Sequence, residues 1–261
     1  MEPLSGIITA LVTPFTEKGE LKTESIKPLI DFQIKGGVDG LFLCGTAGLG
    51  TVMRTDQRIE MFKQSVKAAK GRVKLLAHVG ASSTEEAVTL AREAEKAGVS
   101  AVGAVPPYFM KPDEESIITH FKAIAGATKL PVYIYNIPRQ ALNPVTPSMM
   151  LKLIEVPNIK GVKDSSRDFI NVLDYLRVLP EDFTVICGID SYIYPAARAW
   201  LWALGELSRG TPTGSLMYTL ISSRPSNQAT KKQPNKNSSI SMYSGANSRS
   251  HPWRLTMRLY G

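Results

Sequence analysis

Cysteine and histidine are both scarce in this chain of 261 residues, with Cys44 and Cys187 of the first type and His78, His120 and His251 of the second. Neither type recurs at metal-ligand spacing, which argues against a zinc site and against a disulfide framework. Each cysteine falls in an apolar run that reads as a strand, so both are expected as buried, reduced thiols. His120 sits in a helical pattern and is expected to be packed or at the surface rather than a ligand. Long apolar runs are missing too. None approaches 18 residues, and no membrane span is expected. The opening Met1-Glu2-Pro3-Leu4-Ser5 has no basic stretch leading into an apolar one. No secretory signal is read there, and the cytoplasm is the expected compartment. Acid is nearly absent from the last quarter: residues 198–261 hold nine Lys and Arg against Glu206 alone. That segment carries the whole net charge of +8, because 22 cations and 22 acids balance over residues 1–197. The body is neutral, so its charge does not call for nucleic acid. The tail has neither a helical basic face nor a recognisable nucleic-acid module.

What is present is a regular alternation. Short β-rich runs occur at Gly6–Val12, Gly40–Cys44, Val73–Val79, Ala101–Val105, Val132–Tyr135, Ile159–Val162 and Thr184–Cys187. Each lies about one βα unit from the next. Helical patterns fill the gaps: Glu24–Lys35, Asp56–Ala69, Thr84–Ala97, Glu114–Ala127, Pro147–Ile154 and Phe169–Leu179. In the second of these, Ile59, Phe62, Val66 and Ala69 fall on one face; the third opens on Ser82-Ser83-Thr84-Glu85-Glu86, an N-cap signature. Two parallel α/β architectures fit. A doubly wound sheet would carry a glycine-rich turn after its first strand, and Val12-Thr13-Pro14-Phe15 is not one. A (β/α)8 TIM barrel needs eight strands in about 250 residues. Seven are in place by residue 187, and the barrel is favoured.

The alternation stops after residue 197, giving a division into a barrel over 1–197 and an atypical tail over 198–261. Trp200, Trp202 and Trp253 all lie in the tail, and Ser222–Ser250 is rich in Ser, Asn, Lys and Gln. That composition reads as disordered or poorly folding, with no visible eighth strand or C-terminal helices.

Barrel enzymes place their chemistry at the C-terminal ends of strands. The second strand ends in Cys44-Gly45-Thr46-Ala47-Gly48-Leu49-Gly50, a turn whose exposed N–H groups suit a carboxylate or phosphate. The fifth ends in Tyr135-Asn136-Ile137-Pro138 and the sixth in Val162-Lys163-Asp164-Ser165-Ser166. A lysine at the end of a buried strand is costly to keep charged. A neutral amine there can attack a ketone and form a Schiff base. The other reading is a lysine that simply emerges into solvent, and the residues alone leave both open.

Taken together, these segments resemble the dihydrodipicolinate synthase / N-acetylneuraminate lyase family of class I aldolases, which includes 2-keto-3-deoxygluconate aldolases. The resemblance runs from residue 4 to about 196. It rests on Gly6–Phe15, the Gly45–Gly48 turn, Tyr135–Pro138, Gly161–Ser166 and Gly188-Ile189-Asp190. It implies a (β/α)8 barrel followed by C-terminal helices, assembled as a homotetramer. It implies a pyruvate-dependent lyase with Lys163 as the Schiff-base lysine, Tyr135 moving protons and Thr46 working with it. Substrate contacts are implied for Ala47, Gly48, Tyr108, Arg139 and Gly188. The implied partners are a 2-oxo acid and an aldehyde; no metal, no organic cofactor, no nucleic acid and no membrane is called for.

Four positions depart from the family pattern. The usual turn is Gly-Thr-Thr-Gly-Glu, and here Ala47 and Leu49 replace the second threonine and the glutamate. Leu49-Gly50 looks more like the ketodeoxygluconate branch. Phe109 stands where the synthases have a second tyrosine, and Gln140, after Arg139, where they have an arginine for the aldehyde's carboxylate. Where the eighth strand belongs, this chain reads Glu206–Thr213. Permitted codons for Arg198–Met217, read in another frame, spell Gly-Val-Ala-Leu-Gly-Ser-Arg-Gly-Ala-Ile-Ser-Gly-Tyr-Ala-Asn-Gly-Phe-Pro-Asp, which restores that strand and points to a slipped frame. The expectation is therefore a synthase-type lyase. The alternatives are a ketodeoxygluconate-type aldolase and a relic that binds a 2-oxo acid without turning it over.

Overall fold

The computed structural model describes residues 4–180 and 182–196, with the backbone of 216–220, 239–242 and 255–258. Seven strands follow one another around a parallel barrel: β1 (Gly6–Ala10), β2 (Gly40–Leu43), β3 (Lys74–His78), β4 (Ala101–Ala104), β5 (Val132–Asn136), β6 (Ile159–Asp164) and β7 (Thr184–Cys187). The sequence pattern stops there, and the structure adds one strand. β8 (Leu216–Leu220) pairs in parallel with β7 on one side and β1 on the other, closing the barrel. The open N–H and C=O rows of β1 and β7 supply the reason, since an unpaired edge takes up any extended run within reach. Residues 206–213 and the three tryptophans lie outside the described residues.

Outside the strands lie α1 (Ile26–Lys35), α2 (Thr55–Ala69), α3 (Thr84–Ala97), α4 (Glu114–Gly126), α5 (Pro138–Ala141), α6 (Pro147–Leu153) and α7 (Phe169–Val178). Successive helices pack on each other, except that α4 meets α6 past the single turn of α5. Their starts follow from local chemistry: Ser83, Asp113, Thr146 and Asp168 each accept a hydrogen bond from a backbone N–H of the first turn. α3 ends at Gly98, whose φ of 88° suits glycine alone.

Strand parity divides the apolar residues into two layers. Leu41, Leu43, Leu75, Ala77 and Val162 face the helices. Phe42, Leu76, Tyr133, Tyr135 and Ile186 fill the barrel. Cys44 and Cys187 are free and buried, as their apolar surroundings predict, and burial pushes the Cys44 thiol up to about 12. The chain divides into two compact units, Met1–Ile221 and Ser222–Gly261. In the second, β9 (Ser239–Met242) and β10 (Leu255–Arg258) form a two-stranded antiparallel sheet, with β9 inside the Ser222–Ser250 segment whose composition argued against order. Among the described residues, no helix is long and apolar enough to cross a membrane.

Candidate active site

Lys163 and Tyr135 are register partners on β6 and β5, and parity sends both side chains into the barrel. Gly161, two residues before Lys163, makes this possible: a Cβ there would lie 2.7 Å from the Tyr133 ring. The Lys163 residue is 4% exposed. Its Nζ lies 3.6 Å from the centroid of the Tyr135 ring and 5.0 Å from that of Phe42. Nζ also donates to Ser165 Oγ at 3.4 Å. The structure thus takes the buried side of the two readings left open for this lysine.

Tyr135 connects Lys163 to the turn after β2. Its hydroxyl is 3.5 Å from Thr46 Oγ1. Burial alone would raise this phenol. The charge of Lys163 and hydrogen bonds from Thr46, Lys163 and Ser165 outweigh it and hold the group below its ordinary value. A phenol so placed releases a proton more readily than free tyrosine.

Thr46 sits in a turn built on close backbone approach. Cys44 and Leu49 have φ of 53° and 56°, and a Cβ on Gly48 would come 2.7 Å from the Leu11 carbonyl oxygen. The N–H groups of Leu49 and Gly50 close the turn on Thr46 and Gly45, and Thr13 Oγ1 donates to the Gly48 carbonyl. Among the described residues, no hydrogen bond takes the N–H of Ala47 or Gly48. Two neighbouring free N–H groups beside a hydroxyl are the arrangement that suits a carboxylate.

The other expected positions divide. Gly188 follows β7 against this cluster: its N–H donates to Asp164 O, its carbonyl accepts from Ser165 Oγ, and a Cβ would lie 2.1 Å from that Oγ. Tyr108, after β4, is half-buried, with its ring 6.5 Å from that of His78. Arg139 differs. It is exposed on α5 and makes no hydrogen bond or ion pair among the described residues.

Behind Lys163, Asp164 clamps the strand ends. Its Oδ2 accepts from Asn136 and Asn171, each at 2.7 Å, and its Oδ1 from the N–H and hydroxyl of Ser166. Asn136 Oδ1 also accepts from the Val145 N–H. Four side chains here were not singled out from sequence: Phe42, Ser165, His78 and Arg58. Three had a signal, because Phe42 and His78 share inward parity with their barrel neighbours and Ser165 is two residues from Lys163. Arg58, on a surface helix, had none.

The dihydrodipicolinate synthetase family matches residues 3–201. The 4-hydroxy-tetrahydrodipicolinate synthase of Bacillus velezensis is 38% identical over 192 residues, covering 74% of this chain and 66% of that protein. The Bacillus subtilis protein of the same name is 37% identical over 191 residues, 73% of this chain and 66% of its own. The chain thus spans just under two thirds of the length of these relatives. Dihydrodipicolinate synthase from Aquifex aeolicus superposes with a TM-score of 0.75 at 30% identity, covering 84% of this chain and 70% of its own. A prophage protein of the same family from E. coli K12, solved in complex with pyruvate, gives 0.75 at 27% identity, with 82% and 69% covered.

Proposed function

The chain belongs to the dihydrodipicolinate synthetase family, and on that premise we propose that it is a pyruvate-dependent lyase of the synthase type, with Lys163 as its Schiff-base residue. The observation that carries this reading is the buried Lys163 amine, 3.6 Å over the ring of a tyrosine whose hydroxyl reaches Thr46 at 3.5 Å. The 2-oxo acid's carboxylate takes the free N–H groups of Ala47 and Gly48, which presents its C2 carbonyl to Nζ. The amine adds to C2, and the carbonyl oxygen takes a proton delivered through Tyr135. Loss of that oxygen as water leaves an iminium. Loss of a C3 proton then gives an enamine, whose carbon attacks the aldehyde carbonyl and forms the new C–C bond. Hydrolysis of the iminium by water restores Lys163, so no redox partner is required. Tyr108 and Gly188 border the bound acid, and Arg139 is assigned to the second substrate. All these residues fall within 1–197, so the tail from 198 to 261 supplies no catalytic group in this reading.

Incubation with pyruvate, borohydride reduction and peptide mass spectrometry test the reading. A pyruvate-dependent adduct on Lys163 is expected. A folded sample without that adduct would reduce the chain to a relic that at most binds a 2-oxo acid. A second reading, a ketodeoxygluconate-type aldolase, is favoured by Leu49-Gly50 in the turn and by Arg139 standing away from any partner. Supplying aspartate semialdehyde or glyceraldehyde to the pyruvate-loaded enzyme separates the two by which aldehyde is consumed.

We assign a homo-oligomer, a tetramer as in the family resemblance. Val52 (76% exposed), Phe109 (84%) and Met110 (61%) offer apolar surface on the loops after β2 and β4 that another copy would cover. Light scattering checks it. We place the protein in the cytoplasm, whose reducing poise suits two free thiols.

A further inference from the structure

Arg58 is 2% exposed and makes no ion pair among the described residues, an unusual state for a guanidinium. It leaves α2 on the outside of the barrel. Its Nη2 donates to the carbonyls of His78 (2.6 Å) and Gly80 (3.1 Å) and lies 3.5 Å from His78 Nδ1. The two Nη2 hydrogens go to the two carbonyls, and the guanidinium lies against the Nδ1 edge of the ring. His78 itself is 0% exposed. It lies two residues past Leu76 and shares that residue's inward parity. Its ring meets three others edge-on, with centroids 5.8 Å from Phe42, 5.9 Å from Tyr135 and 6.5 Å from Tyr108. Phe42 also meets Tyr135 edge-on at 5.5 Å. Gly80 leaves the imidazole its place, since a Cβ there would come 2.9 Å from Nε2 and 2.8 Å from the Val105 nitrogen.

We propose that His78 is a positioning residue of this site: anchored through the barrel wall by Arg58, its ring edge fixes the tilt of Tyr135 and so the placement of the Tyr135 hydroxyl between Lys163 and Thr46. The inference rests on reading Lys163 as the Schiff-base lysine. Three observations carry it. His78 meets edge-on both rings that underlie the amine, Tyr135 being the nearer of the two. Its Nε2 is buried without a hydrogen-bond partner, as is Arg58 Nε, a cost that an apolar side chain of like volume would avoid. Finally, the anchor comes from a different structural layer, so the ring is held from outside the cluster that it supports. Burial, then the charges of Arg58 and Lys163, hold the imidazole well below its ordinary value against a weaker pull from the Cys44 backbone. The ring is therefore neutral.

Two readouts test the proposal on the full chain. One is the rate of pyruvate trapping by borohydride across pyruvate concentrations. The other is the titration of Tyr135, read as the tyrosinate absorbance difference between each protein and its Tyr135→Phe counterpart. His78→Ala should trap at least tenfold more slowly, with half-saturation by pyruvate within twofold of wild type. Its Tyr135 should titrate at higher pH, as the phenol swings away from Lys163 and Thr46. His78→Phe restores the ring edge and should recover most of the rate and return the titration toward wild type. Trapping by His78→Ala at the wild-type rate with Tyr135 unmoved would overturn the proposal, and so would a His78→Phe protein as slow as His78→Ala. Where the alanine variant does not fold, His78→Gln replaces it: slow trapping supports the proposal and wild-type trapping overturns it. A wild-type protein that traps no pyruvate would sink the lyase reading instead, and the Tyr135 titration would still decide whether His78 sets that phenol.

Discussion

At the end of β6, Lys163 and Asp164 are adjacent and face opposite ways, one into the barrel and one behind it. The first residue is exposed to chemistry and the second to structure, and substitution should separate them. Lys163→Ala should abolish the borohydride adduct and leave the melting temperature at or above that of wild type, because the cost of burying the amine, which is removed, outweighs its 3.4 Å contact with Ser165 and its approach to the Tyr135 and Phe42 rings. Asp164→Ala strands the amides of Asn136 and Asn171, whose donors then lack an acceptor. A loss of about 2–4 kcal/mol is expected, read as a lower urea midpoint. The two residues also show how much of the site the sequence carried. Lys163 stood out because a cation at the end of an apolar run is anomalous on its face, and Tyr135 and Thr46 because they lie at strand ends in motifs that carry the family resemblance. His78 carried the same period-two signal, two positions past Leu76, but a single histidine at a strand end draws no attention until its ring neighbours are known. Arg58 was hidden for a different reason: nothing in one helix says that an arginine within it will reach strand carbonyls across the barrel wall.

At the scale of elements, the repeat lengths were legible because each helix and strand satisfies its own local chemistry. The predicted helix at Thr84–Ala97 coincides with α3, capped by Ser83 and ended by Gly98. Ser83→Ala should cost about 1 kcal/mol, measurable by thermal unfolding, because the Glu86 N–H then loses its acceptor. The buried face of α2 was less legible. Ile59 and Val66 are only partly buried, while Arg58, Met61, Ser65 and Ala68 lie inward. Phe62 and Ala69 of the predicted face are buried as expected, and the face widens on one side to take in Arg58, whose carbonyl acceptors an apolar pattern cannot register. α3 and α4 meet through a polar contact, with Thr84 Oγ1 2.8 Å from His120 Nδ1. Burial lowers His120 from 6.5 to about 4. Because the folded value lies below the unfolded one, the unfolded chain binds the extra proton in acid. Its contribution is therefore complete above about pH 6.5 and is lost as pH falls toward about 4. The shift corresponds to a few kcal/mol at most. A His120→Asn variant should lose less stability than wild type between those two pH values. Equal slopes for the two proteins would assign the acid sensitivity elsewhere.

At the scale of the whole molecule, closure depends on a segment that the family pattern does not contain. In the other reading frame, Gly-Ala-Ile-Ser would supply the eighth strand; in this chain β8 is Leu216–Leu220, paired with β7 through Val185, Ile186 and Cys187 and with β1 from Gly6 to Thr9. The sequence left this open because one short apolar run in a polar, basic tail has no periodic neighbour to support it. Only the two waiting strand edges select it. The chemistry sits close to that seam, since Lys163 is the register partner of Ile186, and Ile186 in turn pairs with Met217. Two shortened chains weigh the seam against the tail. A chain ending at Ile221 keeps all eight strands and the whole first unit. It should unfold in one cooperative step and still form the Lys163 adduct. A chain ending at Ser215 lacks β8 and leaves the edges of β1 and β7 open to other molecules. It should aggregate on dilution from urea and fail to trap pyruvate. If instead the shorter chain folds and traps as well as the longer one, β8 contributes nothing to the site, and the seven strands from β1 to β7 hold Lys163 by themselves. The gene sequence across Arg198–Met217 tests the origin of the seam independently, because codons incompatible with the shifted frame would show that the tail was never an eighth βα unit read out of phase.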